Sequence, residues 1–245
     1  MSRAEFDREH KLVTSYLFPP FALAGARLSI AFYILVTLVF QLAWESTKDD
    51  SIDSFFSYFT NLTFIGLCAY FFASGVQTFF YARSPISDYP LQSWPRILRY
   101  LHVLLLSTIA TFPLLVTIVY WALLASSSTF ATPYIAWSNI SKHALNTVFA
   151  LFEVTLTSIG PMPWIDLPAT LVMLGGYLGV AYITHATQGI YTYSFLDPKK
   201  QGAKLAAYIV GIAVGQIVIF VVVLGIIHLR ERFTVHKSIK NLAKY

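Results

Sequence analysis

The chain has 245 residues and a formal net charge of +5, yet 56% of its residues are hydrophobic and only 12% are charged. A water-exposed domain carries about 25% charged residues, so this composition excludes a soluble enzyme, a disordered chain and a nucleic-acid-binding domain. A single cysteine, Cys68, excludes an internal disulfide and a thiolate metal cage.

Residues 1–20 form a charged cytoplasmic segment, too polar for a signal-peptide core, so the first span is expected to act as an uncleaved anchor. That span covers 21–43, just after Pro19 and Pro20. The charged loop 45–53 leads to a second span over 55–81, which Ser84 and Pro85 close. A third covers 97–124, and a fourth covers 140–160 and ends at Pro161 and Pro163. The fifth covers 167–191, before Asp197 and Pro198, and the sixth covers 203–229, leaving a basic tail over 230–245. Each is long enough to cross about 30 Å of hydrocarbon. Within lipid each must be helical, because every backbone amide needs a partner inside its own segment. The run QIVIFVVVLGII over 216–227 lacks the alternation of a barrel strand. The expected fold is an all-α integral membrane bundle of six transmembrane helices, without transporter-like repeats.

Loop charges set the expected orientation. One side gathers Arg3, Arg8, Lys11, Arg83, Arg96, Arg230, Arg232, Lys237, Lys240 and Lys244. The other holds Lys48, Lys199, Lys200 and Lys204 beside Glu45, Asp49, Asp50 and Asp53. Both termini are therefore expected to be cytoplasmic, with the lysine-rich loop at 197–204 as the dissenting feature.

Ionisable groups inside a span need a partner, water or a function. At about 1.5 Å per residue, Thr60, His143 and His185 lie roughly 8, 6 and 9 Å below the outer boundary, on three different helices. A hydroxyl beside an imidazole is the minimum for nucleophilic catalysis. Each has a plain structural reading too: a threonine bonds its preceding turn, and a histidine bonds a carbonyl across helices. Arg27 and Arg99 are placed to snorkel, with His102 one turn on. Lys142 sits at the outer interface within reach of water. Glu153 falls near mid-membrane, with a structural role beside His102 or Arg99. His143, Asn146, Thr147 and Glu153 make a polar seam on the fourth span, and Tyr182, His185 and Gln188 make one on the fifth. The histidines lie on separate helices without matching carboxylates, so no metal or organic cofactor is implied. Two formal glycosylation sequons, at Asn61 and Asn139, fall inside or against the bilayer.

Three segments resemble the androgen-induced-gene-like family of multipass membrane proteins. The first is FFSYFTNLTF at the start of the second span. The second contains Trp137, Asn139, His143 and Glu153, and the third contains His185, Gly189, Tyr191, Tyr193, Phe195, Leu196 and Asp197. The Phe112–Pro113 pair is similar as well. Two positions depart from the family: Ile140, where animal members often carry a further histidine, and Ser194, where they carry proline. The resemblance implies a hydrolase of fatty-acid esters of hydroxy fatty acids, with Thr60 as nucleophile, His143 as base and Thr63 as the alternative nucleophile. Asn61, Asn146 and His185 are candidate oxyanion donors, and Glu153 a candidate supporting residue. The expected partners are a lipid ester and the bilayer of the endoplasmic reticulum or plasma membrane, with no nucleic acid; the oligomeric state stays open. Two other readings compete: a transporter or channel using His143, Glu153 and His185 as a proton relay, and a structural scaffold.

Overall fold

Prolines open five of the nine described α-helices in the computed structural model, which describes residues 6–47, 52–84 and 88–242, with 235–242 as backbone alone. Helix α1 (Pro20–Ser46) opens on a proline, whose missing N–H is no loss in a first turn. A 3₁₀ turn (Ile52–Ser57) precedes α2 (Phe59–Arg83). The short α3 (Pro90–Ser93) leads to α4 (Arg96–Val119), which runs on as a π turn over Tyr120–Leu124. Helix α5 (Pro133–Ile140) passes through a second π turn (Ser141–Leu145) into α6 (Asn146–Leu156). Helix α7 (Asp166–Gln188) stops at Gly189, whose φ of 74° lies in the left-handed region that glycine adopts without strain. Asp197 caps α8 (Pro198–Gln201) by accepting from the amides of Lys199 and Lys200. Helix α9 (Lys204–Leu242) completes the fold, and no strand occurs among the described residues.

Five helices are long and apolar enough to cross a membrane: α1, α2, α4 with its π turn, α7 and α9. The molecule is thus an all-α protein of multi-pass membrane type. The predicted fourth span is a different object, two short helices joined by a π turn. It begins at Pro133 rather than 140 and stops at Leu156 rather than 160, because Thr157 is extended. The sixth helix does not end at 229, and its backbone continues through most of the predicted tail. Lys48, Asp49, Asp50, Arg3 and the side chains of Lys237, Lys240 and Lys244 lie outside the described set.

Helix α4 is central, packing against α2, α6, α7 and α9, while α1 pairs closely with α2. The α1–α2 approach requires Gly75, since a Cβ there would stand 2.8 Å from Leu28 Cδ2 and 3.3 Å from the Leu28 amide. Outward faces are apolar, as at Phe32, Val172, Ile183 and Val210, which suits hydrocarbon rather than water.

Hydrogen bonds tie each end of the bundle together. At one end Tyr89 donates to Asp7 at 2.6 Å, Lys11 to Glu231 at 3.0 Å, Arg230 to the Val154 carbonyl at 2.7 Å and the Ser158 amide to Thr14 at 2.9 Å. At the other end Tyr177 donates to the Ser57 carbonyl at 3.0 Å and Gln188 to the Asp53 carbonyl at 3.1 Å.

Between these ends Arg27 and Glu153, both fully buried, form a two-pronged ion pair: Nε donates to Oε2 at 3.1 Å and Nη2 to Oε1. Tyr70 donates to Oε1 at 2.7 Å, and Nη1 of Arg27 donates to Thr78 Oγ1 at 2.6 Å and the Leu12 carbonyl at 2.9 Å. Arg27 therefore does not snorkel, and Glu153 pairs with it rather than with Arg99 or His102. Arg99 is buried over the Phe6 ring and His102 stacks on Tyr70. The physical reason is distance: Arg27, two turns inside α1, meets a carboxylate before it meets water, and a charge in apolar surroundings takes its counter-ion.

Glu153→Ala, which strands the guanidinium, is expected to lower stability by about 3–5 kcal/mol. Replacing both partners together, as Arg27→Met with Glu153→Leu, should recover most of that loss in unfolding measurements in detergent micelles.

Candidate active site

Thr60 is the second residue of α2, not several residues inside a span, because Tyr58 is extended and 52–57 form the 3₁₀ turn. At a helix N-terminus the first amides have no partner within the helix. The Thr60 amide donates instead to the Tyr193 hydroxyl at 3.3 Å, and the same oxygen lies 3.2 Å from Thr60 Oγ1. Tyr193 follows the turn that Gly189 allows and lies flat against Phe195, with ring centroids 5.2 Å apart and planes 4° apart. Burial pushes its phenol above the ordinary tyrosine value, and the bonds with Thr60 pull it part of the way back.

His143 sits in the π turn between α5 and α6. Its ring stacks on Tyr120, which opens the other π turn, at 3.6 Å and 5°. Trp121 donates from Nε1 to the His143 carbonyl at 2.8 Å. His143 Nδ1 is buried without a hydrogen-bond partner. A π turn in a helix often marks a functional site, and here two of them face each other across the ring pair.

Thr60 and His143 line one polar cavity of about 430 Å³, together with Asn61, Tyr120, Lys142 and Tyr193. A second, almost wholly apolar pocket of about 280 Å³ lies between α4, α7 and α9, lined by Leu115, Leu171, Leu174, Ile209 and Ile212. Thr60, Tyr120, Leu124 and Tyr193 border both. The hydroxyl and the imidazole thus share a chamber, and the hydroxyl stands where that chamber meets the apolar one. The threonine side chain bonds Tyr193 and not the imidazole.

The remaining predicted residues take varied places. Asn61 borders the polar cavity, donates to the Phe55 carbonyl at 2.8 Å and accepts from Lys142 at 3.3 Å. Lys142 therefore turns into the cavity, where water was its expected partner. Thr63 bonds back to the Thr60 carbonyl at 3.0 Å and borders neither chamber. Asn146 joins helices: it donates to the Pro113 carbonyl at 3.3 Å and accepts from Thr117 at 3.0 Å and from the Thr147 amide at 2.6 Å. His185 stacks on Tyr191 at 3.8 Å, away from the lining of either chamber. His143, Glu153 and His185 thus have separate partners. Among the described residues no three His, Cys, Asp or Glu converge as metal ligands would.

Sequence reasoning gave no role to Tyr193, Tyr120 or Lys142. Tyr193 lies beyond the helix it was read with, so periodicity could not orient it. The two π turns have no sequence signature. No protein family, curated protein or solved structure matches the chain.

Asn146→Leu is expected to cost about 0.5–1.5 kcal/mol, since the Pro113 carbonyl and Thr117 lose their amide partner but keep Thr147 at 3.0 and 2.7 Å. Unfolding of the variant beside the wild-type protein checks this.

Proposed function

We propose that the protein is a membrane-embedded lipid ester hydrolase with Thr60 as nucleophile and His143 as general base, cleaving fatty-acid esters of hydroxy fatty acids. The observation that carries this reading is the shared chamber: a hydroxyl and an imidazole border one polar cavity, and the hydroxyl also borders an apolar pocket suited to an acyl chain. The resemblance described above selects the same two residues from sequence.

In this mechanism the acyl chain lies in the apolar pocket and brings the ester carbonyl to Thr60. Tyr193 accepts the Thr60 amide proton, so its own O–H can donate to Oγ1 and leave the threonine proton available. His143 takes that proton, directly or across one water, as Oγ1 attacks. The tetrahedral oxyanion needs donors, and the Tyr193 hydroxyl is one already at the threonine oxygen. Collapse expels the alcohol, which receives the proton from His143. Water activated by the same imidazole then hydrolyses the acyl-threonine.

The reading includes six crossings, with α5, its π turn and α6 as the fourth. Both termini are then cytoplasmic and the catalytic chamber faces the exoplasmic side of the endoplasmic reticulum or plasma membrane. Contacts between the N-terminal segment, the loop after α6 and α9 support an even number of crossings.

A fluorophosphonate probe tests the assignment directly. Thr60→Ala should abolish labelling and Thr63→Ala should retain it. His143→Ala should slow ester hydrolysis by about 10²–10⁴-fold without unfolding the protein. Labelling that survives Thr60→Ala would remove the nucleophile.

A further inference from the structure

The polar chamber contains a charge that the mechanism does not use. Lys142 precedes His143 in the same π turn, and both side chains border the cavity. An ammonium carries three donors. One is engaged, by Asn61 Oδ1 at 3.3 Å, and among the described residues no carboxylate approaches Lys142 within 4.0 Å in an ion pair. The amide cannot neutralise the charge. Asn61 is itself fixed, because its Nδ2 donates to the Phe55 carbonyl, so its oxygen is turned to the lysine. Glu45, on the last turn of α1, also borders the cavity and has interactions of its own. Lys142 is partly buried, and the Glu45 carboxylate acts on it only through space, from outside ion-pair distance. The ammonium therefore keeps two donors beyond the one that Asn61 takes, and a lysine so held beside a nucleophile is suited to receive the anion of a ligand.

We infer that Lys142, oriented by Asn61, is the receptor for the free carboxylate of the substrate, and so selects esters whose alcohol half is an acid. This rests on the hydrolase reading. It divides the substrate between the two chambers: the acyl chain enters the apolar pocket, the ester lies at Thr60, and the carboxylate-bearing half enters the polar cavity toward Lys142. A neutral ester gains nothing from that contact. A charge-assisted hydrogen bond in such a site corresponds to about 10- to 100-fold in kcat/KM.

The experiment compares an ester of a hydroxy fatty acid bearing its free carboxylate with the same compound capped as a methyl ester. Full-length wild-type protein, Lys142→Met and Lys142→Arg are assayed in detergent micelles. The wild-type protein should prefer the free acid by about 10- to 100-fold. Lys142→Met should collapse the ratio of the two kcat/KM values toward one, and Lys142→Arg should restore much of it. An unchanged ratio in Lys142→Met would overturn the inference, as would an equal loss on both substrates. So would a stronger, Lys142-dependent preference for an acyl ester carrying a phosphate. If neither ester is hydrolysed by the wild-type protein, the hydrolase reading fails by itself. Equilibrium binding of a fluorescent hydroxy fatty acid and its methyl ester then decides the receptor: acid binding weakened by Lys142→Met upholds it, and equal binding of both overturns it.

Discussion

A guanidinium and a carboxylate, neither with access to solvent, hold this bundle in register. Arg27 and Glu153 cannot be separated without leaving a bare charge among apolar side chains, so α1 and α6 must meet. Tyr70 and Thr78 bring α2 to the same point, and the Leu12 carbonyl brings the N-terminal segment. This one contact fixes the azimuth of three helices. Two further bonds hold α1 against the α5–α6 rod: Tyr33 with Ser141 at 2.8 Å and Gln41 with Ser138 at 3.0 Å.

The two residues proposed for catalysis stand on the same elements, away from that pair. Helix α2 carries Tyr70 within the bundle and Thr60 at its start. The α5–α6 rod carries Glu153 near one end and His143 at its middle. The rigid pair therefore fixes the elements that carry Thr60 and His143, while the cavity itself is lined largely from loops and irregular turns. Tyr193 bridges the two regimes, because it lies in a connecting segment yet contributes the hydroxyl that receives the Thr60 amide in the first turn of α2.

Much of the architecture was legible because the physics is coarse. Long apolar runs need only length and composition, and the five membrane-length helices follow from them. Thr60 and His143 could be paired in depth because axial rise is regular, although both helix starts were misplaced. The remainder turned on side-chain partners. Nothing in the spacing of Arg27 shows that a carboxylate 126 residues away will meet it. His185 looked equivalent to His143 by depth, but its ring is taken up by Tyr191. Asn146, read as a catalytic donor, instead satisfies a carbonyl of the proline-bearing helix α4. Lys142 had an exposed surface as its natural expectation, and only the widened turn brings it inside with His143.

That widened turn has a mechanical consequence. The rod from Pro133 to Leu156 touches α1 through Ser138 above the π turn and through Glu153 below it. An α-helix advances by about 100° per residue, and the π turn over 141–145 already holds the one extra residue its wider winding accommodates, so inserting a further residue there would rotate everything below against everything above by about that angle. Either the serine or the carboxylate would then leave its mate. The length of a five-residue irregularity is thus dictated from both sides, like a spacer cut to suit two bolts.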